Sequence, residues 1–372
     1  MIWNSVTFFL ASLLFLSGVF HQSLYLIYPF FAFYLSQKHA TIIPKPDQTG
    51  KLFAWMLLFV IASIVAHTSI NLKINFFELK GLLRYFSYFA IALIANYFSC
   101  KSLYKFLYFS SVLIIVLTPI AMIQVVLLDR AELFFGQGNH MAYVVLLLLF
   151  FVYKFLDGGW RNFLLVGLFL NLLLTKSTGA LLVALLIISY IGISKKPIYG
   201  IYAILSLCAM FFIVVQLNAP LFDRLIYQFQ FLMLVDLDLI IEKATAAKFG
   251  SMGSGIWRLS YWLAIIFEFL SLSTADILFG LGADSMTTGY FQLEVMYIDP
   301  HNDFLKVFVE FGVIGVVGLF IFLWRLHVVS GKKLELLIIM CLPMFLGNIL
   351  VNFPFMQLLV IILTFIEKNR AE

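Results

Sequence analysis

The sequence predicts an all-α polytopic membrane bundle of about twelve transmembrane helices with one large loop on the outer side. Three observations carry this. Of the 372 residues, 63% are apolar and 12% charged, where soluble domains run near ~50% and ~25%. The apolar residues form unbroken runs, such as VVLLLLFFVYKFL at 144–156, and in lipid only helices and closed barrels satisfy their backbone groups. The charges also sort by side, as a membrane orientation requires. This composition excludes two soluble domains, a disordered chain, a disulfide scaffold and a nucleic-acid binder.

On a ruler of about 20 residues per crossing, spans fall near 2–20, 24–36, 52–72, 81–99, 104–128, 139–156, 162–175, 177–194, 197–216, 303–324, 334–350 and 354–366. The N-terminal run lacks a basic n-region and reads as an uncleaved first span. The predicted organisation is nine spans over 1–216, a large outer loop over 217–302, and three spans with a cytoplasmic tail over 303–372. With both termini inside, 14 of the 24 basic residues but only five of the 19 acidic ones fall on the cytoplasmic side. The outer side then carries ten basic and 14 acidic residues, the expected asymmetry. The three cysteines, Cys100, Cys208 and Cys341, lie in or beside apolar runs without CxxC spacing and read as packing residues.

The interval 217–302 breaks the rhythm, and loops of this length are usually functional. Its first part, from Pro220, reads as an amphipathic interfacial helix. The stretch 258–272 is short, contains Glu268, and would invert everything downstream if it spanned, so it reads as a helix packed on the bundle's outer face.

At the loop's end, Pro300 precedes His301, and Asn302 or Asp303 makes a good N-cap for the span that follows. His301 thus stands at a helix mouth that favours anions. Two readings fit it: a general base for a sugar hydroxyl, or a polar residue marking the membrane boundary. Gly312, Gly315 and Gly318 recur every three residues, the spacing of close helix packing. Glu310 is an ionisable residue within a span, a functional candidate by default; four residues after Lys306, it also fits an internal ion pair. Asp236 and Asp238 would diverge by roughly 200° on a helix, so the pair supports no metal site.

The pattern His301-Asn302, Leu305, Glu310, Gly312 and Gly315 resembles the signature of the O-antigen ligase/polymerase family of membrane glycosyltransferases. Upstream, Arg258, Trp262, Gly280 and Gly282 match that family's Arg, Trp and Gly-x-Gly, and Asn139 with Ala142 resembles its Asn-bearing turn. The blocks cover about residues 135–320. In one departure, Thr175-Lys176-Ser177-Thr178-Gly179 stands where the family has Thr-x-Ser-Arg-Gly, so Thr178 replaces the Arg and Lys176 carries the nearest charge.

The resemblance implies a GT-C-like fold in the bacterial inner membrane. It also implies a donor glycan on undecaprenyl diphosphate, no cofactor or metal, and chemistry on the periplasmic face. It casts His301 as the base and Arg258 as the cation that stabilises the leaving diphosphate, with Lys176, Arg224 and Arg84 lining its path. Trp262, Asn139, His140, Asn302 and Glu310 complete the set as glycan-binding or supporting residues. Expected partners are the lipid-linked oligosaccharide, membrane lipid and a chain-length regulator protein, with no nucleic acid. The acidic surplus outside favours a polymerase over a ligase that must approach phosphorylated lipid A–core. A lipid-linked oligosaccharide flippase is the other reading, although such transporters favour internal repeats and midplane charges.

Overall fold

The computed structural model describes residues 27–30, 32, 47–71, 76–128, 130–133, 135, 137–195, 254–283, 285–287 and 301–372. The expected spans 2–20 and 197–216, most of 24–36, Arg224, Asp236, Asp238 and the greater part of the large loop lie outside these residues. The described chain folds into helices: α1 (Gln48–Asn71), α2 (Phe76–Asn96), α3 (Cys100–Val116), α4 (Thr118–Leu128), α5 (Gly138–Phe155), α6 (Gly158–Leu174), α7 (Thr178–Lys195), α8 (Ser254–Leu270), α9 (Thr274–Phe279), α10 (Asp303–Val329), α11 (Leu334–Leu346) and α12 (Phe353–Ala371). No strand occurs among the described residues.

A helix that is apolar on every side belongs in a protein core or in lipid. The apolar helix α12 shows the result: each residue from Phe353 to Ile366 is buried, with α1, α2, α3 and α5 packed around it. Helix α5 is nearly as enclosed, from Met141 to Val152. The helical turn at 27–30 joins this core, where Tyr28 accepts a hydrogen bond from Gln357 at 2.6 Å and packs on Phe353. On the outside of the bundle, large apolar side chains face outward, including Val126, Val166 and Trp55 at 84%, 71% and 70% exposure. Apolar surface of this extent fits lipid rather than water.

Among the described residues, three helical stretches are long and apolar enough to cross a membrane: Gln48–Ala66, Gly138–Phe155 and Asp303–Val329. Helices α2 and α3 meet at 119° across a short break, and α4, α6 and α11 are shorter apolar helices.

Two expected spans are broken. The run at 104–128 divides at Leu117 into α3 and α4. Pro119 lacks an N–H and its ring clashes with the carbonyl four residues back; that carbonyl, on Ile115, instead accepts from Thr118 Oγ1 at 2.6 Å. The run from 303 breaks at Gly312, where φ is 66° and ψ is −164°. A nine-residue stub therefore precedes the longer part of α10.

One end of α12 fastens two neighbours. The Glu367 carboxylate accepts from the amides of Gln48 and Thr49, at 2.7 and 2.9 Å, at the start of α1. Lys368 Nζ donates to Asn96 O at 2.8 Å at the end of α2. An acid at a helix N-terminus and a base at a C-terminus satisfy orphan backbone groups and oppose each helix dipole favourably.

Candidate functional site

The stub of α10 presents His301, and the stub is held on both ends. Asn302 caps it, its Oδ1 accepting from Leu305 N at 3.1 Å. Asp303, fully buried, reaches outside the helix, its Oδ2 accepting from Ile349 N and Leu350 N at 2.7 and 3.0 Å. This locks the stub's first turn to the connection between α11 and α12. Tyr88 of α2 donates to Leu350 O at 2.8 Å, tying the same connection to the core. His301 itself has a φ of +50°, a left-handed conformation that a non-glycine residue keeps only where its surroundings enforce it.

At its other end the stub meets the α9–α10 glycines. Leu281 N and Gly282 N donate to Val309 O and Glu310 O at 2.9 and 3.0 Å, capping carbonyls that the break at Gly312 leaves without helical partners. Gly280 has φ 81° and ψ −179°, and Gly312 is similar. A Cβ on Gly280 would stand 2.4 Å from the Glu310 carbonyl, and one on Gly312 would stand 2.3 Å from Leu278 O. The two Gly motifs thus serve one backbone-to-backbone docking. Of the three glycines spaced for helix packing, only Gly318 does that work, with a would-be Cβ 2.7 Å from the Phe59 ring of α1. Glu310 forms an ion pair with Lys306 at 3.6 Å, with both side chains buried inside the stub.

Arg258 approaches from α8. Its Nη1 donates to Leu346 O at 3.2 Å, while Nε is buried without a hydrogen-bond partner among the described residues. Burial pulls the guanidinium pKa below its ordinary value, with the Tyr143 hydroxyl acting in the opposite direction. Trp262, one turn on, packs edge-to-face on Phe345 at 5.3 Å. Both residues of the Arg–Trp pair therefore rest on the last turn of α11, as an i, i+4 spacing predicts. Tyr261, Ile265 and Phe269 of α8 pack with Leu305 and Val309 of the stub, and Phe269 meets Phe308 at 4.8 Å.

The third side is the start of α5. Gly138 lies against the Thr175 carbonyl, and Ala131 N donates to Leu174 O at 2.9 Å, so half-buried Asn139 and His140 adjoin the α6–α7 turn that carries Lys176. Lys176 is exposed and has a φ of +51°. One turn into α5, buried Tyr143 lies near Arg258, and its hydroxyl closes on the backbone at Gly347. Arg84, 6% exposed, stands one turn before Tyr88 on α2.

The decisive geometry is the convergence at the end of α11. Leu346 O receives Arg258, and Asn348 Nδ2 lies 3.3 Å from His301 Nδ1. Two residues separated by 43 positions in sequence are thus attached two residues apart on one backbone segment. Such an arrangement holds a cation and an imidazole together, which is the equipment for stabilising an anionic leaving group while removing a proton. Among the described residues no three His, Cys, Asp or Glu side chains form a group able to hold a metal ion. Asn348, Tyr143 and Asp303 carry roles that the sequence did not disclose. Asp303 was visible as a capping candidate, but Asn348 and Tyr143 sit in apolar runs whose proximity to the site is set entirely by tertiary packing.

An all-helical membrane protein with a polar cluster at one end of its bundle is the class these features define. Residues 163–320 match the family model Wzy_C, described as O-Antigen ligase, which supports the resemblance of this segment's motifs to the O-antigen ligase/polymerase family. The match spans Lys176, Arg258, His301 and Glu310, and ends before Asn348. Comparison with curated proteins finds no match.

Proposed function

We propose that the chain is a metal-independent glycosyltransferase that polymerises O-antigen on the periplasmic face of the bacterial inner membrane. The observation that carries this reading is the attachment of Arg258 and His301 to the Leu346–Asn348 segment. His301 removes the proton from a sugar hydroxyl of one lipid-linked repeat unit. The resulting oxygen attacks the anomeric carbon of the donor glycan, and undecaprenyl diphosphate departs with its electron pair beside Arg258. Lys176, Arg84 and Arg224 line the diphosphate path, and Trp262, Asn139 and His140 meet the glycan. Asn302 and Glu310 support from within or beside the stub, Glu310 through its pair with Lys306.

The outer surplus of acidic residues favours a lipid-linked acceptor, hence a polymerase. The description of the matched family model favours the second reading, a ligase that delivers the chain to lipid A–core. Surface polysaccharide from a deletion strain separates them: single repeat units on the core mark a lost polymerase, and a bare core with long chains left on carrier marks a lost ligase. Arg258→Ala and His301→Ala variants, expressed at wild-type level, are expected to leave that defect uncorrected. A complete ladder from either variant refutes the assignment of that residue.

A further inference from the structure

We infer that Asn348 is the positioning residue that determines which nitrogen of His301 carries the proton, an inference that rests on the glycosyltransferase reading above. A neutral imidazole has one N–H and one lone pair, and its partner at one nitrogen decides the state of the other. The backbone of His301 is fixed by its left-handed φ, by the Asn302 cap and by the Asp303 anchor, so the ring enters the site in a set direction. Asn348 meets that ring at Nδ1. A base must offer its lone pair at Nε2, and this requires a proton on Nδ1 and an acceptor facing it.

The Asn348 side chain supplies that acceptor. The oxygen and nitrogen of a side-chain amide are alike in size and reach, so either can face the ring nitrogen at this 3.3 Å contact. A half-turn of the amide brings Oδ1 to the ring, where it accepts from Nδ1–H. In the reaction the acceptor hydroxyl's proton passes to Nε2 and its oxygen bonds to the anomeric carbon. The bond from that carbon to the diphosphate oxygen breaks, with the electron pair leaving on the diphosphate. The imidazolium then holds Oδ1 through a charge-assisted hydrogen bond, stronger than the neutral one. Asn348 therefore acts through His301 and not on substrate.

The test uses the full chain in lipid nanodiscs with an undecaprenyl diphosphate-linked repeat unit, measuring kcat, KM and the melting temperature of each variant. Asn348→Ala is expected to lower kcat by roughly 10–100-fold, the usual effect of removing such an orienting partner, with KM changed by less than about threefold because substrate contacts remain. Asn348→Asp, which only accepts, is expected to retain kcat within about tenfold of wild type. Wild-type kcat in Asn348→Ala, with His301→Ala inactive, overturns the inference and leaves the glycosyltransferase reading standing. So does an Asn348→Asp chain that melts as wild type but turns over more than about tenfold slower than wild type. Where the Ala variant does not fold, the Asp variant decides alone. Full turnover by His301→Ala removes the base itself, and with it both readings of this residue.

Discussion

Replacing Gly312 by alanine sets a Cβ 2.3 Å from Leu278 O, 2.4 Å from its carbonyl carbon and 2.7 Å from Gly280 N. All three are backbone atoms, which cannot swing aside as a side-chain tip does. The conformation at Gly312 also lies in a region that is essentially glycine's alone, costing about 1–3 kcal/mol for another residue. Overpacking adds about 1–3 kcal/mol, for a total of about 2–6 kcal/mol if the fold is kept. At about 2–4 °C per kcal/mol this lowers the melting temperature by roughly 4–24 °C. Relief by separation would release the Leu281 and Gly282 amides from Val309 and Glu310 and let the His301 stub tilt. Gly280→Ala meets the other side of the same contact and should behave alike. Gly159→Ala is the control, because no atom lies within 4 Å of its Cβ and alanine in a helix costs nothing relative to glycine. Thermal unfolding of the purified chain, with polysaccharide laddering in a complemented deletion strain, reads both effects. A Gly312→Ala protein that melts with wild type and makes a full ladder refutes the docking argument.

Three further outcomes follow from named contacts. Glu367→Ala removes the acceptor for two amides and the Thr49 hydroxyl at the start of α1, and a drop of about 1–3 kcal/mol in stability is expected by melting. Asp47, at the same helix start, has its pKa raised from 3.8 to about 6, chiefly by burial. Its folded form binds the proton more tightly, so stability falls as pH rises from about 4 to 6, by about 1 kcal/mol after allowing for partial exposure; Asp47→Asn should remove that fall in pH-dependent melting curves. Arg258→Lys keeps the charge but loses the fork that spans Leu346 O and a diphosphate, so turnover should drop at least about tenfold, and an Arg258→Lys enzyme of wild-type kcat contradicts the leaving-group role.

The helical membrane architecture was legible because apolar run length is a local property, and the starts and ends of α5 and α7 fall within one residue of the expected positions, while α6 begins four residues earlier and α12 ends five residues later. The division at Leu117 was also written locally, in Pro119, but a run-length criterion overlooks a proline inside an apolar stretch. The break at Gly312 was not locally readable. Its meaning depends on Gly280 and Gly282, some thirty residues upstream, and glycines at three-residue spacing read equally well as a packing stripe. The same contrast holds in the site. His301 and Arg258 stand out because polar residues are scarce at apolar boundaries, and Asn302 has the N-cap role its chemistry favours. Asn348 gains its place only when α11 and α12 are packed, and Trp262 packs against Phe345 in a T-shaped pair.

The segment from Leu346 to Leu350 grips its neighbours mostly through its peptide groups: one carbonyl for Arg258, two amides for Asp303, another carbonyl for Tyr88. Peptide groups are the same whatever residue bears them. The spacing between guanidinium and imidazole is therefore insulated from the identity of Leu346, Ile349 and Leu350, so long as apolar side chains of similar size refill the core. Only Gly347, crowded by Tyr143, and Asn348 are pinned by what they are. A library that varies the three leucine and isoleucine positions should return many working sequences, and one that varies the two between them very few.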